Sequence, residues 1–214
     1  MIGAEPTRIV AIRHGETDWN AGGRLQGQRD IPLNALGRRQ AERLAGALRD
    51  EGIDAVFASD LVRAADTARV LAAPLGLVPQ FDPGLRERGF GVLEGLSYDE
   101  IAQRWPDMAR RWRTRDPGFA PDGGETLLAF QARAVAAVER IALAHAGRSI
   151  AIVAHGGVLD ALYRAAIRIG VDAPRSWMLG NAAINRLLHA AQGFTLVGWD
   201  DRRHLEEPTL DEHD

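Results

Sequence analysis

The chain has 214 residues, 46% hydrophobic and 26% charged, a size and balance that suit one compact domain with a sizeable core. It contains no cysteine and no lysine, so all 26 basic residues are arginine; disulfides, thiolate metal sites, cysteine nucleophiles, Schiff-base lysines and the phosphate-loop lysine are excluded. A formal net charge of -3 leaves no overall basic field of the kind that holds nucleic acid or an anionic membrane, so any recognition of an anion must be local.

Residues 1–8 lack a basic stretch followed by an apolar one, and no segment approaches the length of a membrane span, so a cytoplasmic chain is expected. Residues 9–12, Ile-Val-Ala-Ile, read as a buried strand that leaves its sheet at Arg13 to Gly15. A polar, glycine-rich loop (15–33) follows, then a helix over 35–49 with Leu36, Ala41, Leu44, Ala45 and Leu48 at helical spacing and Gly52 as its stop. Residues 54–58 form a second strand, and Ser59 is the expected N-cap of a helix over 61–73 that Pro74 ends. A third strand at 78–81 is broken by Asp82-Pro83-Gly84. Ser97 and Glu100 form a capping box that opens a helix running to Trp105 and stopped by Pro106. Residues 114–124, with two prolines and three glycines, read as a loop or boundary. A long alanine-rich helix over 125–146, the clearest buried strand at 149–154, a helix over 157–169 and a hairpin of 183–189 with 194–199 complete the pattern. The tail from 202 is expected to be acidic and mobile.

Strands alternating with helices predict an α/β fold. The expected form is a three-layer α/β/α sandwich whose mainly parallel central sheet carries an antiparallel edge strand. A single domain is expected over 1–214, with a helical insert at about 97–124 covering the active site.

In open α/β sheets ligands sit beyond the carboxyl ends of the strands, so three junctions matter: Arg-His-Gly-Glu-Thr at 13–17, Ser-Asp-Leu-Val-Arg at 59–63 and His-Gly-Gly at 155–157. Each has an ordinary explanation by itself. Arg13 and His14 fit a solvated loop, Arg63 fits a surface salt bridge to Asp60 or Asp66, and His155 fits a satisfied polar residue after a buried strand. Together, two arginines, two histidines and the amides that open a helix at Gly156 describe a site for a phosphoryl dianion. With no cysteine and no D-x-D signature, His14 is the available nucleophile; a hydrogen bond from its other ring nitrogen to backbone near Gly15 would fix the tautomer. Glu87, between the glycines of 84–91, is the candidate proton donor.

These residues together resemble the histidine phosphatase superfamily, also called phosphoglycerate mutase-like. R-H-G-E-T-D-W-N (13–20) is similar to the family signature, and S-D-L-V-R-A-A-D-T-A (59–68), L-R-E-R-G-F-G-V-L-E-G (85–95) and A-H-G-G (154–157) follow in order. The resemblance implies that His14 becomes phosphorylated, that Arg13, Arg63 and His155 hold the transferring group, that Glu87 acts as acid and then base, and that Asn20 lines the same pocket. It implies neither metal nor other cofactor. The stretch from Leu85 to Ile101 resembles the compact phosphatase branch, although Leu93 stands where tryptophan is common.

The expected activity is a metal-independent phosphomonoester hydrolase working through phosphohistidine on small phosphorylated metabolites. A cofactor-dependent phosphoglycerate mutase is the alternative: Arg88 agrees with the mutase pattern, whereas Gly89, Phe90 and the missing lysine do not. A phosphate-binding pseudoenzyme is the third. The expected partner is a small phosphorylated substrate, not nucleic acid or membrane, with a homodimer left open. Arg104, Arg110, Arg111, Arg113 and Arg115, interleaved with Trp105 and Trp112, either line the mouth of the site or form a solvated helix with tryptophans anchored inward.

Overall fold

The computed structural model describes residues 5–206. Its centre is a six-stranded sheet built from β1 (Thr7–Arg13), β2 (Ala55–Ala58), β3 (Gln80–Phe81), β4 (Ser149–Ala154), β5 (Ile184–Ala190) and β6 (Gly193–Asp201), in the order β3-β2-β4-β1-β5-β6. β3, β2, β4 and β1 run parallel, and β5 lies antiparallel to β1. β5 and β6 form the expected terminal hairpin.

The central strands are apolar on both faces because both are covered. On one face Ile9, Ala11, Ile150 and Ile152 pack against α6 (Leu127–Ala144) and α7 (Gly156–Ile167). On the other, Val10, Ile12, Ala151 and Val153 meet α2 (Ala35–Ala47) and α3 (Val62–Ala72). A smaller cluster of Leu93, Ile101 and Ala109 lies apart from the sheet under α4 (Tyr98–Arg104) and α5 (Pro106–Arg113). Leu93 is fully buried in that cluster.

Strand order places the three junctions side by side. β4 lies between β1 and β2, Arg13 is level with Ala154, and His14 N donates to Ala154 O at 3.0 Å. On the far side Ser59 N donates to Val153 O at 3.0 Å. The chain after β1 is held by a close backbone approach: a Cβ on Gly15 would lie 2.4 Å from Gly37 O, and one on Gly37 would lie 2.0 Å from Glu16 O. Only glycine at both positions lets the start of α2 support the turn that carries His14. The short helix α1 (Asp18–Ala21) follows, capped by Thr17.

Several expectations need correction. Ser59 does not cap α3: its Oγ accepts from Leu61 N at 3.3 Å, and the N–H of Val62 is taken by Asp30 Oδ1 at 2.6 Å. A loop 32 residues upstream in the chain thus supplies the partner for the helix's first amide. Pro106 ends α4 but also begins α5, because a first-turn position needs no N–H donor and accepts proline's fixed φ. The expected helix over 125–146 begins two residues later and ends two earlier, and the third strand shortens to Gln80–Phe81. Residues 202–206 belong to the fold: a 3-10 turn over Arg203–Leu205 is tied down where Arg43 Nη1 donates to Leu205 O at 2.7 Å. The rest of the expected acidic tail, 207–214, lies outside the described residues.

Candidate active site

His14 leaves the end of β1 where the sheet opens, 3% exposed, with His155 beside it at a ring-centroid separation of 5.2 Å. His14 Nδ1 lies 2.7 Å from Gly15 O. A carbonyl only accepts, so Nδ1 carries the proton and Nε2 keeps its lone pair. Arg63 Nε donates toward that Nε2 at 3.3 Å. The tautomer is therefore the one required for attack through Nε2.

Arg63 is 1% exposed and pairs with neither Asp60, which holds Arg86, nor Asp66, which holds Arg69. Its guanidinium is aimed by the loop before α2, with Nη1 donating to Arg29 O at 2.7 Å and Nη2 to Gly27 O at 2.8 Å. Burial lowers its pKa to about 10, so it stays charged at neutral pH. Arg13 is anchored by Leu179 O through Nη1, while its Nε is buried without a protein partner. A Cβ on Gly156 would come within 3.6 Å of that Nε, so the glycine leaves this donor approachable at the start of α7. His155 is fully buried and both of its ring nitrogens lack a protein partner, so it is not the satisfied polar residue its position suggests. These unpaired buried groups converge where the three strand ends meet, as a site that completes its hydrogen bonding with an anion requires.

Glu87 faces the same cavity from the loop after β3. Its Oε1 accepts from Arg88 N at 2.8 Å and its Oε2 from Gly157 N at 3.0 Å. Gly157 is what lets the carboxylate approach α7, since a Cβ there would sit 2.1 Å from Glu87 Oε1 and against the Phe130 ring. Asn20 also lines the cavity, its Oδ1 accepting from Thr17 N at 3.1 Å and from Asn181 Nδ2 at 3.3 Å. Asn181 Nδ2 donates in addition to His14 O at 2.9 Å, and Ala182 N to Arg13 O at 2.9 Å. The segment 179–182 therefore clamps the chain at Arg13 and His14 from the far side. Neither Leu179 nor Asn181 carries a local sequence signal for this role, because it depends on a contact across more than 160 residues.

The cavity has a volume of about 720 Å³ and is lined by eight arginines against three carboxylates. Of the arginines between 104 and 115, Arg111, Arg113 and Arg115 reach it together with Trp112; Arg104, Arg110 and Trp105 do not. Trp105 and Trp112 also pack on the Leu93 cluster, so both descriptions of this stretch hold in part. Among the described residues, no group of three or more His, Asp or Glu side chains is placed as metal ligands would be, and no helix is long and apolar enough to cross a membrane.

Residues 9–202 match the family model of the histidine phosphatase superfamily, branch 1. The chain belongs to that superfamily. It is 38% identical over 203 residues to phosphoglycerate mutase-like protein 4 of Arabidopsis thaliana, covering 93% of this chain and 87% of that one. It is also 38% identical over 207 residues to a metal-independent phosphoserine phosphatase of the same plant, covering 95% of this chain and 85% of the relative. Among solved structures, mycobacterial glucosyl-3-phosphoglycerate phosphatase complexed with VO3 superposes with a TM-score of 0.83 at 35% identity, over 91% of this chain and 99% of that one. Membership of the superfamily agrees with the junctions that the sheet brings together.

The electrostatics of this histidine phosphatase site yield a pH dependence. Burial, then the charges of Arg63 and Arg13, hold the His14 pKa well below the ordinary imidazole value; burial and Arg63 do the same to His155. Both rings are neutral when folded yet protonate near pH 6.5 when unfolded, so below that pH the unfolded state binds more protons. In phosphate-free buffer the melting temperature is expected to fall between about pH 7.5 and pH 5.5, above the window in which carboxylates titrate. His204, also lowered by burial, acts in the same sense but lies outside the cavity. Saturating inorganic phosphate should therefore reduce the slope, because an anion among these groups stabilises the imidazolium forms. A melting temperature that stays level or rises on acidification would remove the neutral pair.

Proposed function

We propose that this protein is a metal-independent phosphomonoester hydrolase that forms a phosphohistidine on His14 and acts on small phosphorylated metabolites. The observation that carries this is the state of His14: Nδ1 is committed to Gly15 O, leaving Nε2 as a neutral nucleophile in the cavity that Glu87 also lines. In the first step His14 Nε2 attacks phosphorus, the ester P–O bond breaks, and Glu87 gives the departing alkoxide oxygen a proton. In the second, Glu87 takes a proton from water, the hydroxide attacks phosphorus, and the N–P bond breaks to restore neutral His14 and release phosphate. Arg13, Arg63 and His155, with the amides at Gly156, surround the transferring group, and Asn20 completes the pocket. Buried guanidinium groups meet the negative charge of the transition state without having to reorganise.

Two of the three relatives described above are named as phosphatases, which favours hydrolysis. The mutase alternative draws on the other relative's name and on Arg88. Here Arg88 is a strut between main-chain segments, with Nε donating to Glu125 O at 3.0 Å and Nη2 to Phe119 O at 2.7 Å. The same proposal places the protein in the cytoplasm with a small phosphorylated substrate as its partner.

The test is phosphate release from phenyl phosphate and from 3-phosphoglycerate in excess EDTA, with formation of 2-phosphoglycerate followed in parallel. Turnover undiminished by EDTA and faster release than isomerisation are expected. Activity only on addition of Mg²⁺, or isomerisation outrunning release, would overturn the assignment.

A further inference from the structure

Three consecutive amides of the loop that carries Glu87 end on carboxylates. Arg88 N donates to Glu87 itself, Gly89 N to Glu125 Oε2 at 2.8 Å, and Phe90 N to Glu94 Oε1 at 3.1 Å. Glu94 also grips a second loop: the same Oε1 accepts from Gln28 N at 3.0 Å, and Oε2 pairs with Arg29 Nε at 3.3 Å. Its side chain is 11% exposed and does not line the cavity, so it acts on the reaction only through other groups.

The second loop is the one that aims Arg63, whose Nη2 donates to Gly27 O and whose Nη1 donates to Arg29 O. Gly27 O and Gln28 N belong to one peptide unit, which is planar and turns as a body. That unit gives its N–H to Glu94 and its carbonyl to Arg63, so the direction in which Glu94 holds it sets the direction from which Arg63 is held. Gly27 makes the grip possible: its φ is +52°, and a Cβ there would lie 2.1 Å from Glu94 Oε1. Glu94 is also close enough for its charge, with those of Glu87 and Asp30, to oppose the burial that lowers the Arg63 pKa. A lighter tie runs in parallel, Gln28 Nε2 donating to Glu87 O at 3.3 Å.

Neither 27–29 nor 87–89 lies in a helix or a strand of the sheet, so the core does not fix the distance between them. Phosphoryl transfer requires that distance to be held, because Arg63 grips the phosphoryl group while Glu87 must meet the oxygen that leaves it. A carboxylate that only satisfied loop amides would be indifferent to where Arg63 and Glu87 point.

We propose that Glu94 is a positioning residue that keeps Arg63 in register with Glu87, by cross-linking through one carboxylate oxygen the loop that aims the first and the loop that carries the second. The proposal rests on the hydrolase reading above. Hydrogen-bond acceptance by Oε1, rather than charge, is what it requires. A glutamine oxygen has two lone pairs and can take both amides, and the lost pair with Arg29, itself 65% exposed, contributes little. Aspartate keeps the charge but is one methylene too short to span both loops.

The test compares Glu94→Ala, Glu94→Asp and Glu94→Gln with the wild type, each assayed well below its own melting temperature. The dissociation constant of inorganic phosphate, read by calorimetry, reports on Arg63. The ratio of kcat/KM for 4-nitrophenyl phosphate to that for glycerol 3-phosphate reports on Glu87, because a good leaving group has less need of a proton and any loss of phosphoryl binding cancels. Glu94→Ala and Glu94→Asp should each raise both quantities by about tenfold to a hundredfold, the scale set by displacing a catalytic group by about an ångström. Glu94→Gln should stay close to the wild type in both. Unchanged phosphate binding and an unchanged ratio in the alanine and aspartate variants, whatever their melting temperatures, would overturn the proposal. A change in one quantity without the other, or a Glu94→Gln as impaired as Glu94→Ala, would overturn it equally. A wild type that releases no phosphate from either ester would instead remove the hydrolase reading, while phosphate binding by the variants would still decide whether Glu94 positions Arg63.

Discussion

Replacing His14 by alanine is expected to lower phosphate release by about 10⁴-fold or more, the scale on which enzymes lose a covalent nucleophile. The ring does work that no neighbour can assume. His155 lies beside it but is fully enclosed, whereas His14 Nε2 is the nitrogen held against Arg63 Nε. Wild-type protein incubated with substrate and quenched in alkaline denaturant should carry one phosphoryl group, stable to base and lost in acid, on the peptide containing His14. The variant should carry none while keeping a cooperative melting transition, because the sheet core does not depend on this imidazole. Substantial turnover by His14→Ala, or a phosphoryl group on another residue, would end the phosphohistidine mechanism.

Glu87→Gln separates the two chemical steps. Amide and carboxylate have nearly the same shape; the side-chain oxygen can keep the bond from Gly157 N or the one from Arg88 N but not both, so one backbone hydrogen bond is lost together with proton transfer. For an alkyl ester the departing oxygen then lacks its proton, and a fall in kcat of about 10² to 10⁴ is expected. For an aryl ester with a good leaving group the first step continues without an acid, but water is not activated for the second. One equivalent of phenol should appear in a burst, followed by slow turnover, and phosphohistidine should accumulate to near one per chain. A variant that slows alkyl and aryl esters equally, with no burst, would show that Glu87 is not the proton-transfer residue.

Much of this could be read along the chain. Short apolar runs with turn residues after them located β1, β2 and β4, and the residues at their carboxyl ends were the ones to examine, since a parallel sheet delivers its functional groups there. Arg13, His14, Arg63, Glu87 and the 155–157 turn all border one site. The Ser97 capping box was equally legible, because Ser97 Oγ and Glu100 satisfy each other's backbone within four residues.

Whatever was local in chemistry and in sequence could be settled by the sequence alone: the absence of thiol and lysine chemistry, the strand and helix periods, and the residue types at the strand ends. Tertiary structure decided the pairings between distant segments. Only the fold shows that Asp30 rather than Ser59 serves the first amide of α3, that Arg63 is aimed by the carbonyls of Gly27 and Arg29, and that Leu179 and Asn181 secure Arg13 and His14. The physical reason is range. Hydrogen-bonding propensity and hydrophobic period act over a few residues, whereas the direction of a guanidinium and the balance of charge in a cavity depend on which loops the sheet order brings together. By composition the chain is slightly acidic, yet its cavity is rich in arginine, a contrast that appears only once the helices and strands are assembled.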